Sequence, residues 1–172
     1  MGQKVNPTSL RVGINKYWQS TWFEKKDYST FLKEDYKIRN YIEKNYSIAG
    51  ISSVIIERAA ANLKIIIHTS KPGVLIGKKG ADIEKLRNRL SKLSDKSISL
   101  DIKEIKKPET DASLLADSIA RQLEKRVAFR KAMKKSGLSA IKLGAKGIKI
   151  VCGGRLGGAE IARTEKFSEG SV

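Results

Sequence analysis

Apolar residues along this chain recur with two different periods, and the order in which those periods follow one another lays out the fold. From Tyr28 to Asn45, Phe31, Ile38, Tyr41 and Ile42 share one side of a 3.6-residue wheel, while Lys33, Glu34, Lys37 and Lys44 fall mostly elsewhere, which predicts an amphipathic helix. The period then changes to two. Ile51 to Arg58 and Leu63 to Thr69 predict a hairpin across Ala59-Ala60-Ala61-Asn62, with Leu63, Ile65 and Ile67 alternating against Lys64, Ile66 and His68. Pro72 opens a short helical turn, and Gly77-Lys78-Lys79-Gly80 interrupts the chain. A further helix follows, with Ile83, Leu86, Leu90 and Leu93 on its inner face. Ile98, Leu100 and Ile102 alternate with Ser97, Ser99, Asp101 and Lys103 in a closing strand, completing a small α+β layer over about residues 28–105.

Lys103-Glu104-Ile105-Lys106-Lys107-Pro108 reads as a linker to a second unit. There Asp111 or Thr110 caps a helix striped by Leu115, Ile119, Leu123 and Val127 and ended by Lys134-Lys135-Ser136-Gly137. Gly147 to Cys152 and Ile161 to Phe167 read as strands around a glycine-rich turn at Gly153 to Gly158. Residues 1–20 predict an extended arm, since Pro7 and Gly13 interrupt any helical pattern. Lys4, Arg11 and Lys16 are spread along it, so that it orders best on a partner. The expected division is an arm over 1–20, a first domain over 21–106 and a second over 107–172.

Charge narrows the function. Lys and Arg number 35 against 18 Asp and Glu, a formal +17 that repels itself without an anionic partner, and nucleic acid is the foremost candidate. No apolar run approaches the ~18 residues a membrane span requires. The start lacks a signal-peptide stretch and the Ser or Thr that myristoylation needs at position 6. One histidine and one cysteine, Cys152, predict a buried thiol, no structural zinc, no cofactor and a cytosolic protein.

Three readings compete for Gly73-Val74-Leu75-Ile76-Gly77-Lys78-Lys79-Gly80. A nucleotide-binding P-loop fails on glycine spacing and on the missing Ser or Thr after lysine. A plain connector is the second. The third is a KH-type loop, Gly-x-x-Gly between two helices, where the bare backbone approaches a phosphate, the next helix presents its N–H groups, and Lys78 and Lys79 add charge. Only 6% of the chain is aromatic, which disfavours base stacking across a sheet and favours phosphate contacts. A second basic feature runs from Arg121 to Lys135. Seven basic residues there meet one acid, Glu124, and Arg126, Arg130 and Lys134 recur every four residues as on one helix face.

Catalysis finds little support. His68 stands on a strand without a nucleophile or ligand at a suitable spacing, and Asp82, Glu84, Glu104 and Glu109 read as helix-start charge and solvent coverage. The chain is expected not to be an enzyme.

Met1 to Pro7 with Leu10-Arg11-Val12-Gly13, the loop Gly73 to Gly80, and Gly144 to Lys149 through Gly154 to Glu165 together resemble the third small-subunit ribosomal protein of bacteria and organelles, nearly end to end. The resemblance implies a type II KH domain, a three-stranded sheet packed by helices, followed by a family-specific α/β domain on the head of the small subunit. Gly77, Lys78, Lys79 and Gly80, with Arg11, Arg155 and Arg163, are the implied RNA contacts, the last two set among glycines where RNA or protein can approach. The basic helix Phe129 to Lys135 is the implied meeting point with incoming mRNA, through Arg130, Lys131 and Lys134. Implied partners are small-subunit rRNA, mRNA and neighbouring head proteins, the tenth and fourteenth foremost, then the second, fourth and fifth. Cytoplasmic ribosomes are the expected location, and an organelle's matrix or stroma is compatible as well. The family continues into further strands, so the last sheet is expected to be truncated at Glu169-Gly170-Ser171-Val172. The alternative is a free KH-type RNA-binding regulator or ribosome-assembly factor.

Overall fold

Alternation at the strands and 3.6-residue periodicity at the helices resolve into two units, residues 1–104 and 105–172. The structure is a computed structural model, and it describes residues 3–59, 62–94 and 96–171. Ala60 and Ala61 of the predicted hairpin turn therefore lie outside the described residues.

In the first unit α1 (Pro7–Arg11) and β1 (Ser20–Thr21) precede α2 (Tyr28–Asn45), β2 (Ile51–Ala59), β3 (Asn62–Thr69), α3 (Pro72–Ile76), α4 (Ala81–Leu90) and β4 (Ser97–Glu104). The sheet order is β1-β2-β3-β4, with β2 and β3 antiparallel and both outer pairings parallel. Register follows the apolar pattern: Ile56 lies opposite Ile65, which lies opposite Leu100, and Val54 opposite Ile67, opposite Ile102. These side chains meet Ile38 and Ile42 of α2, Leu75 of α3 and Leu86 and Leu90 of α4 in one core. Each such fully buried Leu or Ile contributes about 1.5–3 kcal/mol relative to exposure.

Three expectations change here. The arm is not extended throughout, because Asn6 accepts hydrogen bonds from Thr8 N–H at 2.9 Å and Ser9 N–H at 3.4 Å while Pro7 supplies a preset first-turn φ. The three-stranded sheet gains β1 as a short fourth strand, Ser20 opposite Ile56. Leu93 lies beyond the end of α4 and is 36% exposed rather than on an inner face.

A buried ion pair also emerges that the apolar pattern did not single out. Asp35 is fully buried among the inward positions of α2, and Arg58 reaches it with Nε at 3.1 Å while bonding Glu34 at 2.8 Å. The other Asp35 oxygen accepts from Trp22 Nε1 and Ser20 Oγ, each at 2.8 Å, tying the segment around β1 to α2. The Arg58 guanidinium also lies 4.6 Å from the Phe31 ring centre.

The second unit holds α5 (Ala112–Glu124), α6 (Phe129–Lys142) and an antiparallel pair, β5 (Gly147–Gly154) and β6 (Arg163–Gly170). Asp111 caps α5, accepting from Ser113 N–H at 3.0 Å and Leu114 N–H at 3.2 Å. One long helix was expected to run past Val127 and stop at Gly137. Instead α5 ends at Glu124, and α6 passes through Gly137. Glycine is tolerated mid-helix because the Phe167 ring takes the space, and a Cβ at Gly137 would meet Phe167 Cε1 at 2.3 Å. Leu115, Ile119, Met133, Ala140 and Ile150 form the core, and Cys152 is half-buried at its edge rather than enclosed.

Candidate nucleic-acid interface

Two basic surfaces emerge, one in each unit. In the first, α3 stops at Gly77, whose φ of 71° and ψ of −175° belong to a region only glycine enters readily. A Cβ there would also meet Asp82 Oδ2 at 2.2 Å, so Gly77 is required by packing as well as by conformation. Gly80, at φ 80°, turns the chain into α4, whose first amides receive no side-chain cap. Those N–H groups and the positive end of the helix dipole suit an anion. Lys78 is exposed beside them, and the Lys79 side chain lies outside the described residues.

The loop is not uniformly positive. Asp82 and Glu84 occupy the first turn of α4, and Asp82 pairs with Lys85 at 3.2 Å. Burial pushes the nearby Tyr46 phenol up, with Tyr41 and Asp82 adding to the shift and Lys85 opposing it. A phosphate would therefore sit toward Lys78, away from this carboxylate.

The second surface is the outward side of α6. Ala132, Met133, Ser136, Gly137 and Ala140 face the core, which turns Arg130, Lys131, Lys134 and Lys135 outward. Arg130 rests 5.5 Å from the Phe129 ring centre and meets Glu165 at 3.3 Å. Lys131 and Lys134 are exposed and hold no ion pair among the described residues. Because α5 has already ended, Arg126 is not on this helix face, and the four-residue spacing that suggested it spans a break.

Glu165 and Phe167, two apart on β6, project to one side, and both touch α6. Arg163 continues that alternation at the end of β6, opposite Gly154. A Cβ at Gly157 would lie 4.0 Å from Phe129 Cε1, so the glycine turn reaches the start of α6. The fold thus brings Arg163 and the turn of Arg155 toward Arg130, which precedes both by at least 25 residues. Arg155 also has a local task, since its Nε donates to Ala159 O at 2.9 Å. Arg11, in the first unit, donates to Pro7 O at 2.9 Å within α1. Sequence reasoning missed Glu165 as the holder of Arg130. The alternation of Glu165 with Phe167 was the available signal.

His68 is half-buried on β3, and its Nε2 has no hydrogen-bond partner among the described residues. Among those residues no group of three His, Cys, Asp or Glu is placed to hold a metal ion, and no helix is long and apolar enough to cross a membrane.

Comparison with known proteins joins the two surfaces to known modules. A KH domain family matches residues 37–110, and the family of the ribosomal protein S3 C-terminal domain matches residues 119–172. The small ribosomal subunit protein uS3 of Geobacter sulfurreducens is 55% identical over 172 residues, all of this chain and 82% of that protein. The proteins of the same name from Rhodospirillum centenum and Beijerinckia indica are 56% and 57% identical, covering 76% and 72% of their lengths.

Proposed function

The chain belongs to the uS3 family of small ribosomal subunit proteins and so has a structural, ribosomal role, within which we propose that its two basic surfaces hold different RNAs. The KH loop at Gly77 to Gly80 clamps rRNA backbone in the head of the small subunit, and Arg11, Arg155 and Arg163 are further RNA contacts. The outward face of α6 meets mRNA at its entrance through Arg130, Lys131 and Lys134. There it acts on message structure passively: basic side chains hold the backbone of the incoming strand while translocation supplies the work, with no nucleotide bound by this chain. The tenth and fourteenth small-subunit proteins are the foremost proposed protein neighbours, with the second, fourth and fifth beyond, and the cytoplasm is the proposed location.

The observation that carries this reading is the sorting of α6, with small residues inward and Lys131 and Lys134 outward without counter-ions among the described residues. Like charges crowded on one helix face cost a few tenths of a kcal/mol per pair unless an anion neutralises them. The test replaces Arg130, Lys131 and Lys134 together by Ala. Incorporation into small subunits that survive high-salt sedimentation is expected to persist, with translation slowed on messages carrying hairpins. Equal speed on structured and unstructured messages rejects the mRNA role.

A further inference from the structure

The two helices of the second unit end in the same hydrogen-bonded turn, once with glycine and once with arginine. After α6, Gly144 N–H donates to Ile141 O at 3.0 Å and Ala145 N–H to Ala140 O at 3.1 Å, with Gly144 at φ 103°. After α5, Arg126 N–H donates to Leu123 O at 2.9 Å and Val127 N–H to Gln122 O at 3.0 Å, with Arg126 at φ 58°. Both are Schellman caps, in which the residue just past the helix adopts the left-handed conformation. Glycine is the usual occupant because a Cβ there crowds the neighbouring carbonyl. Among the described residues Arg126 is the one non-glycine residue at positive φ.

Beyond the two cap hydrogen bonds, no side-chain hydrogen bond or ion pair of Arg126 with a described residue offsets that strain, and Arg126 is exposed. The cap is closed by backbone groups alone and would close equally well around glycine. What arginine adds is a cation on a fixed turn between two helices, next in sequence to the exposed Lys125 and four residues before Arg130. Departures from local backbone preference concentrate where a side chain serves a site rather than the fold.

We propose that Arg126 is a phosphate-contacting residue of the same RNA surface as Arg130, Lys131 and Lys134, its guanidinium presented by the left-handed cap at the break between α5 and α6. The inference rests on the reading of α6 given above and adds to it a residue off the helix. A planar guanidinium binds phosphate through two parallel N–H donors, and a hydrogen-bonded cap gives it a rigid base.

The test uses the whole chain, a short oligouridine as the RNA, and three variants: R126G, R126K and the triple R130A/K131A/K134A. Thermal unfolding and the slope of log affinity against log salt concentration are measured for each. R126G is expected to raise Tm by a few degrees while flattening the salt slope by about 0.7, the value for one lost contact to single-stranded RNA. R126K, which keeps the charge, retains the parent slope. An unchanged slope in R126G beside a flattened slope in the triple variant overturns the proposal and leaves the reading of α6 standing. Unchanged slopes in both remove that reading and the proposal with it. A lower Tm for R126G also overturns the proposal, because the arginine would then be serving the fold.

Discussion

The two units close their cores to different degrees, and the difference decides how closely function is tied to stability. In the first, Ile56, Leu63, Ile65, Ile67, Leu75, Leu86 and Leu90 are fully buried between sheet and helices, and the KH loop hangs at the edge of a core it does not build. In the second, Leu115, Ile119 and Ile150 keep 5–9% exposure, and a groove of about 510 Å³ runs between α5 and β5. There the helix that carries the basic residues is itself a wall of the core: Gly137 seats Phe167 and Arg130 holds Glu165. A scaffold with a sealed core can change a loop side chain such as Lys78 without disturbing that core, while Gly77 stays fixed. One whose functional helix packs its own sheet cannot.

The largest expected effect is in the first unit. Asp35→Ala leaves buried Arg58 with Glu34 as its remaining carboxylate partner and Trp22 Nε1 and Ser20 Oγ without this acceptor, and is expected to cost about 3–5 kcal/mol, read by denaturant unfolding. A loss below about 1 kcal/mol would show the pair to be hydrated and the sealed-core picture wrong. Leucine truncation compares the two cores directly. Leu86→Ala is expected to cost about 3–4 kcal/mol and Leu115→Ala about 2–3, because the groove beside Leu115 already admits solvent. Equal costs would erase the distinction.

Gly137→Ala is expected to destabilise the second unit by about 1–3 kcal/mol through overpacking against Phe167. Phe167→Leu in the same chain should recover part of that loss, and an additive double variant would break the proposed contact. The smallest effect on stability, within about 0.5 kcal/mol, is expected for Lys78→Asp at its exposed position. Made together with Lys79→Asp, it should nevertheless weaken RNA binding and flatten its salt dependence. Unchanged binding would make the loop a connector.

Much of this architecture was legible because period is a backbone property. Helix α2 and strands β2, β3 and β4 lie where the apolar spacing put them, and β4 alternates Ile98, Leu100 and Ile102 inward as read. Short elements were not legible. A helix of one turn such as α1 has no period to detect and depends on the local chemistry of Asn6 and Pro7. The break between α5 and α6 was hidden for a different reason: Arg126 stands where a glycine would have announced the helix end, and the basic spacing runs through the gap.

Polar burial was the other blind spot. Asp35 falls among the inward positions of α2 with Ile38 and Ile42, yet a carboxylate reads as surface until its partner is known, and Arg58 lies on another element. The basic residues of the candidate site could be named from charge and motif. Their grouping could not, since only the pairing of β5 with β6 under α6 brings Arg163 toward the side of Arg130 and Glu165. Long-range contact of this kind leaves no local trace.

A density map of a small ribosomal subunit carrying this chain decides between these outcomes. Nucleic-acid backbone is expected along Gly77 to Gly80 and, in particles loaded with message, a strand passing the outward face of α6 at Lys131 and Lys134. Bare solvent or protein against both surfaces would contradict it.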